Sequence, residues 1–231
     1  MLVSHTHKFI YLRTRKTAGT SLELALERHC IPPGMQLEKS TPAVISKYGV
    51  VSRRNYKRKK LSLARFTQLD WRMHQSAAHT RLYLGGKKWD SYRKFTTVRN
   101  PYDRMVSYFH FSKLGDNILE NSDFAQVRDK FRDFVLNEDW HDDFKIVSLK
   151  GRYIIDHAVR MEHLPDDLKL LAKKLGLASD TIEIGHSNST ASSRKTYEVP
   201  EYYDPDTIQH VRNRMRWVFD HFDYPTEPVP K

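Results

Sequence analysis

The chain has 231 residues, 39% hydrophobic, 29% charged and 12% aromatic, enough to bury one sizeable core with a lobe of insertions but not two full domains. Its mean hydropathy is −0.68, and its apolar runs fall far short of the roughly 20 residues a membrane span needs, which excludes a membrane-embedded function. Thirty-nine Lys plus Arg against 28 Asp plus Glu give a net charge of +11, so the expected partners are anionic: nucleic acid, acidic glycans or phosphorylated small molecules.

Seven of the cations (Arg53, Arg54, Lys57, Arg58, Lys59, Lys60, Arg65) crowd into one acid-free stretch, leaving an excess of only four elsewhere. Basicity this local argues against nucleic acid as the partner, and no groove-reading motif accompanies it. The stretch reads either as a solvated segment or as a surface that steers an acidic acceptor. The single cysteine, Cys30, excludes a disulfide framework and a multi-cysteine zinc site, and reads as a small buried hydrophobe. No apolar leader with a cleavage pattern precedes the first strand-like run, so a cytoplasmic location is expected.

Along the chain, Phe9 to Leu12 reads as a strand, Arg13 to Ala18 as a turn and Ser21 onward as a helix with Leu22, Ala25 and Leu26 on one face. Thr20 and Glu23 have capping-box spacing. Ile31 to Phe66, with Pro32, Pro33, Gly34, Pro42 and the basic run, shows no periodicity and reads as an excursion from a single domain spanning 1–231. Trp71 to Leu84 is helix-like and stops at Gly85-Gly86. Lys94 to Val98 is a strand, and Asn100 as N-cap, Pro101 at the first helical position and Asp103 in the first turn open the next helix. Asp123 to Asn137 is an amphipathic helix, Tyr153 to Met161 contains strand, Pro165 to Leu175 is a helix ended by Gly176, and Gly185 to Val199 is a polar loop. A last helix starts at Asp204-Pro205 and carries Ile208, Val211, Met215, Val218 and Phe219 on one stripe. Strands alternating with helices predict an α/β fold with a mainly parallel sheet flanked by helices and a ligand site at the carboxyl ends of the strands.

Two strand-to-helix turns carry chemistry. In Arg13-Thr14-Arg15-Lys16-Thr17-Ala18-Gly19-Thr20-Ser21, successive backbone N–H groups and a helix N-terminus face whatever lies over the turn. Gly19 permits tight turning, Lys16 adds a point charge, and Thr20 and Ser21 add hydroxyls. The turn therefore suits an oxyanion, although a plain strand–helix turn with a solvated lysine would carry the same letters. It is not a Walker sequence, because the lysine precedes the turn instead of following a second glycine. That order disfavours a nucleoside triphosphatase and removes the clearest reason to expect a metal. In Val98-Arg99-Asn100-Pro101-Tyr102-Asp103-Arg104-Met105-Val106-Ser107-Tyr108, Arg99 ends the strand with paired donors and Ser107 lies two turns along the helix. Together they would grip a second anionic group, while Arg104 faces solvent or Asp103.

The paired stretches Phe9-Ile10-Tyr11-Leu12-Arg13-Thr14-Arg15-Lys16-Thr17-Ala18-Gly19-Thr20-Ser21 and Phe95-Thr96-Thr97-Val98-Arg99-Asn100-Pro101-Tyr102-Asp103-Arg104-Met105-Val106-Ser107-Tyr108 resemble the two signatures of sulfotransferases that use 3′-phosphoadenylyl sulfate (PAPS). The resemblance is closest to the carbohydrate-type branch and extends more weakly over most of the chain. It implies a P-loop-nucleotidase-like sulfotransferase fold. It also implies that Arg15, Lys16, Thr17, Ala18, Gly19, Thr20 and Ser21 hold the 5′-phosphosulfate, and that Arg99 and Ser107 bind the 3′-phosphate. PAPS is the implied donor, its desulfonated form PAP the product, and a hydroxyl on a glycan or glycoconjugate the acceptor, with neither metal nor nucleic acid.

Lys16 would stabilise charge on the departing oxygen, and a base must take the acceptor's proton. Similar sequences carry a histidine where this chain has His74, which is therefore the candidate base. Arg81, seven residues on, would share its helix face and contact donor or acceptor. A histidine that only caps or packs the helix is the alternative; His79 is the reserve, and Glu23, Glu162 and His163 are weaker candidates. The family places a segment covering the donor near Asn188 to Tyr197, which brings in Arg194 and Lys195. Trp71 and Tyr56 either stack on sugar faces or belong to the core. A Mg²⁺-dependent P-loop kinase or other phosphotransferase is the competing enzymatic reading, and a basic nucleic-acid-binding protein the non-enzymatic one.

Overall fold

The computed structural model describes residues 1–38, 41–53, 70–112, 123–178, 182 and 197–230. The chain clusters into two units, one of Met1–Thr14, Ala18–Thr97 and Lys145–Gly185, the other of Arg15–Thr17, Val98–Phe144 and His186–Lys231. No helix among the described residues is long and apolar enough to cross a membrane.

The first unit is built on a six-stranded sheet of order β3-β4-β1-β2-β5-β8. Its strands are β1 (Leu2–Ser4), β2 (Phe9–Tyr11), β3 (Val44–Ile45), β4 (Gly49–Val51), β5 (Arg93–Val98) and β8 (His157–Arg160), while β6 (Ser148–Leu149) and β7 (Arg152–Tyr153) form a separate small hairpin. The expected α/β sheet is present, and it is mixed. Only four residues join β1 to β2, too few for a crossover, so the two pair antiparallel with Val3 opposite Ile10. A long excursion separates β2 from β5, and these two pair parallel, Tyr11 opposite Phe95. Their aromatic side chains fill the centre of the sheet: Tyr11 stacks on Phe95 at 5.0 Å and Phe9 meets it edge-on at 5.5 Å.

Part of the supposed excursion after Ile31 belongs to the sheet. The β3–β4 hairpin pairs with β1, with Ser4 opposite Gly49, and Val50 and Val51 are buried. Gly49 is there for lack of space, since a Cβ would stand 2.0 Å from the Val3 carbonyl oxygen. Strands of two and three residues are too short to show a period of two, which is why the sequence hides them. Cys30 is buried as expected, and burial pushes its thiol pKa up.

Around the sheet lie α1 (Gly19–Leu26), α2 (Ala77–Leu84), α3 (Gly86–Ser91) and, after α4 and α5 of the other unit, α6 (Leu164–Leu175). Leu22, Leu26, Leu168, Leu171 and Leu175 pack into one apolar core with Phe9 and Phe95. The helix expected from Trp71 begins only at Ala77, capped by Ser76, whose hydroxyl accepts from the His79 N–H at 3.3 Å. Before it, the Gln75 side-chain oxygen accepts from the Arg72 N–H at 2.9 Å and holds a turn. Gly85 ends α2 as predicted, yet α3 follows at once.

The second unit holds α4 (Pro101–Ser112), α5 (Phe124–Asn137), α7 (Pro205–Arg214) and α8 (Arg216–His221). Each of the first three starts where a side chain can cap it. Asn100 accepts from the Tyr102 N–H at 2.9 Å, Asp123 from that of Gln126 at 2.9 Å, and Asp204 forms a reciprocal box with Thr207. The aromatic side chains of Phe109, Phe131, Phe134, Tyr202 and Tyr203 pack between these elements. The single last helix of the sequence reading is two, broken at Met215. Beyond the break Trp217 turns inward, its Nε1 donating to the Asp142 carbonyl at 2.9 Å.

Candidate active site

The first strand exit is held straight before it turns. Leu12 N–H donates to the Phe95 carbonyl at 2.9 Å, and the Thr14 hydroxyl donates to that of Thr97 at 2.5 Å, so the chain follows β5 to that strand's end. The turn then departs from expectation. Its left-handed residues are Lys16 (φ 61°) and Ala18 (φ 52°), not Gly19. Left-handed backbone at residues with a Cβ is strained by roughly 1–2 kcal/mol each, the kind of strain that collects at functional loops. Gly19 is required for a different reason: a Cβ there would stand 2.8 Å from Arg13 Cγ and Nε and 2.9 Å from the Tyr11 hydroxyl.

The predicted capping box at Thr20 and Glu23 does not form. The N-cap of α1 is Ala18, without a side-chain cap, and the Ser21 N–H donates to the Ala18 carbonyl at 3.1 Å. Glu23 is drawn into the core instead, where it binds the Met1 amino group at 2.6 Å and the Arg13 guanidinium. Burial pushes the Glu23 carboxyl up, but these two cations outweigh it and hold the group below its ordinary value. Arg13 also donates to the Thr20 hydroxyl oxygen at 2.6 Å, which leaves that hydroxyl's own proton to serve as a donor.

His74 lies before α2 and not within it. Its Nδ1 is 3.0 Å from the Arg13 carbonyl oxygen. A carbonyl can only accept, so Nδ1 carries the proton and, in the neutral ring, Nε2 is the basic nitrogen. The seven-residue helical register expected between His74 and Arg81 does not exist, because the helix starts after His74; Arg81 is exposed on α2. His79 is exposed too, its Nδ1 3.0 Å from the Ser76 hydroxyl. Trp71 is buried core and no platform for a sugar.

Within the second unit, Arg15, Lys16 and Arg99 come together. Arg99 directs Nε and Nη2 to Asp103, both at 2.5 Å, and donates from Nη1 to the Lys16 carbonyl at 3.3 Å. The Lys16 ammonium sits 4.0 Å from the centre of the Phe111 ring. Arg15 binds Asp143 through its guanidinium and through its backbone N–H at 2.7 Å, so its charge is directed to a carboxylate. Ser107 is buried on α4, one turn beyond Asp103.

Arg104, expected to face solvent or Asp103, does neither. It is buried and donates to Asp143 at 2.7 Å, to the Arg15 carbonyl at 2.9 Å and to the His141 carbonyl at 2.9 Å. Burial pulls its guanidinium pKa down, with Asp143 acting against that. Sequence reasoning missed Arg13, Arg104, Asp143 and Phe111. The Arg104 spacing alone left two directions open, and nothing in the sequence ties Asp143 to a loop more than a hundred residues away. Arg194, Lys195, Tyr56 and the basic run beyond Arg53 lie outside the described residues; Arg53 itself pairs with Asp70 at 3.0 Å. Glu162 and His163 lie in a single helical turn, Met161–His163, ahead of α6.

Within the second unit, Arg15, Lys16 and Arg99 thus bring three cationic residues to one place. The model of the Sulfotransferase family matches residues 1–225 of the chain. No curated protein and no solved structure matches it. The chain therefore belongs to the sulfotransferase family.

Proposed function

We propose that the protein transfers the sulfuryl group of PAPS to a hydroxyl of a carbohydrate. The observation that supports this reading is that Arg99 donates to the Lys16 carbonyl at 3.3 Å, joining the two segments assigned to the donor. The residues present suit the donor's chemistry. On the family resemblance, Lys16 and the hydroxyls of Thr20 and Ser21 would take the 5′-phosphosulfate, with Thr17, Ala18 and Gly19 contributing backbone. Arg99 and Ser107 would take the 3′-phosphate, Arg99 exchanging part of its contact with Asp103 for it. Arg15, whose guanidinium and backbone N–H both go to Asp143, would serve the donor by holding the turn in place.

In the transfer, the acceptor oxygen attacks sulfur in line while the bond between sulfur and the bridging phosphate oxygen breaks, and PAP leaves with the electron pair. Lys16 offsets the charge that grows on that oxygen. His74, oriented by the Arg13 carbonyl, accepts the acceptor's proton at Nε2. Arg81, Arg194 and Lys195 are assigned to substrate and donor contacts on the family resemblance. The carbohydrate acceptor rests on that resemblance and on the seven cations between Arg53 and Arg65, which would steer an acidic polysaccharide. The whole chain acts as one catalytic domain in the cytoplasm, needs no metal and takes no nucleic acid.

Thermal denaturation tests the reading. PAP at about 100 times its Kd should stabilise the protein by roughly 2.7 kcal/mol, whereas ATP with Mg²⁺ should not raise Tm. Stabilisation by ATP with Mg²⁺ alone would favour a phosphotransferase and refute the proposal.

A further inference from the structure

The α4 helix carries Asp103, Ser107 and Phe111 at four-residue intervals, which puts them along one stripe. Asp103 aims Arg99, and Arg99 holds the Lys16 carbonyl. Phe111, 52% exposed, takes the other end of the same lysine, with Nζ 4.0 Å from the ring centre. The stripe thus grips Lys16 at both its backbone and its ammonium, and Lys16 is one of the two left-handed residues of the turn. Phe111 is not among the buried core residues described, and its ring face meets the lysine ammonium.

We propose that Phe111 is a positioning residue for Lys16, its ring holding the ammonium at the turn while the donor is bound and cleaved. The assignment rests on the reading of residues 15–21 as the donor cradle. The choice of group is chemically apt. A ring face limits the four rotatable bonds of a lysine yet leaves its positive charge intact.

The test has two arms on the full chain. In the first, the Lys16 ε-methylene protons are followed by NMR without ligand. They should resonate upfield through the ring current of Phe111, move to ordinary lysine positions in Phe111→Leu, and stay upfield when PAP is added to the native protein. In the second, PAP affinity is measured by calorimetry and acceptor-independent cleavage of PAPS in single turnover. Phe111→Leu should cut the cleavage rate about five-fold, as expected for losing one cation–ring contact, with PAP affinity within about two-fold of native. Phe111→Tyr should restore the rate, and stepwise fluorination of the ring, which drains its face of negative charge at nearly constant shape, should lower it stepwise. Absence of the upfield shift, a rate indifferent to fluorination, or PAP affinity falling in step with the rate would each overturn the proposal. Failure of native protein to bind PAP would overturn the donor reading instead, and the ligand-free ring-current shift would then decide the Phe111–Lys16 contact by itself.

Discussion

The two strand exits of this chain are built by opposite means. After β5, the helix start is local: Asn100 accepts from the N–H groups two and three residues ahead, Pro101 occupies the first helical position, and backbone dihedrals stay ordinary. After β2, the N-cap residue Ala18 offers no side-chain cap. The turn runs through left-handed Lys16 and Ala18, and its flanks are tied to distant groups, Arg13 to Glu23 and Arg15 to Asp143. A turn fixed by long-range ion pairs can hold a strained backbone that its own sequence would not choose, which is useful where backbone N–H groups must face an anion. Mutations should separate the two kinds of construction.

The largest effect should come from Asp143→Ala. Its carboxylate is fully buried and faces Arg104, whose side chain is 2% exposed, together with Arg15. Removing it leaves a buried guanidinium uncompensated, so the urea midpoint should fall by the equivalent of about 3–5 kcal/mol. A loss under about 1 kcal/mol would mean that the carbonyls of Arg15 and His141 suffice for Arg104 and that the first exit does not depend on its distant carboxylate.

Next, two neighbouring residues in the first turn should respond with opposite signs. Gly19→Ala forces a methyl against Arg13 and the Tyr11 hydroxyl at 2.8 and 2.9 Å and should cost about 1–3 kcal/mol. Ala18→Gly relieves a left-handed alanine and should stabilise by up to about 1 kcal/mol. Chemical denaturation of the pair decides whether glycine serves for space at one position while strain sits at the other. Equal signs would erase that distinction.

At the second exit, Asn100→Ala should cost about 1 kcal/mol, the ordinary value of a lost helix cap, and the loss should not propagate to the first turn. That modest figure also explains which parts of the molecule could be read from the sequence. The helices opened by Asn100, Asp123 and Asp204 were predicted to within a residue at their starts, because the capping atoms lie two or three residues from the groups they satisfy. The α/β character, the two exits and the burial of Cys30 were legible for the same local reasons. Thr20 and Glu23 misled because their spacing fits a cap, while Arg13 and the Met1 amino group hold Glu23 in the core. Trp71 misled because its apolar spacing continues that of α2 although Gln75 closes a turn between them. Asp143 and Phe111 had no signal at all, since each acts on a loop reached only through the fold.

The subtlest test lies in the pH dependence of stability, again on the first strand–helix segment. His29 closes the turn after α1; its carbonyl accepts from the Ser4 hydroxyl at 2.7 Å and its ring meets that of His7 at 5.0 Å. Burial pushes its pKa down from 6.5 to about 4, with His7 and Arg28 adding to the fall. The folded state thus binds the proton less readily than the unfolded chain. The stability His29 contributes is complete above about pH 6.5 and is lost as pH drops toward about 4. Glu23, held below its ordinary value, works in the same direction but lower on the scale, where its own protonation would release Arg13. Urea midpoints measured across this range should therefore decline first with the histidine and then with the carboxylate, and His29→Gln should flatten only the upper part of the decline. If the upper part kept its slope in that variant, the proton would be entering elsewhere, and the distant ties of the first exit would have to be sought beyond His29.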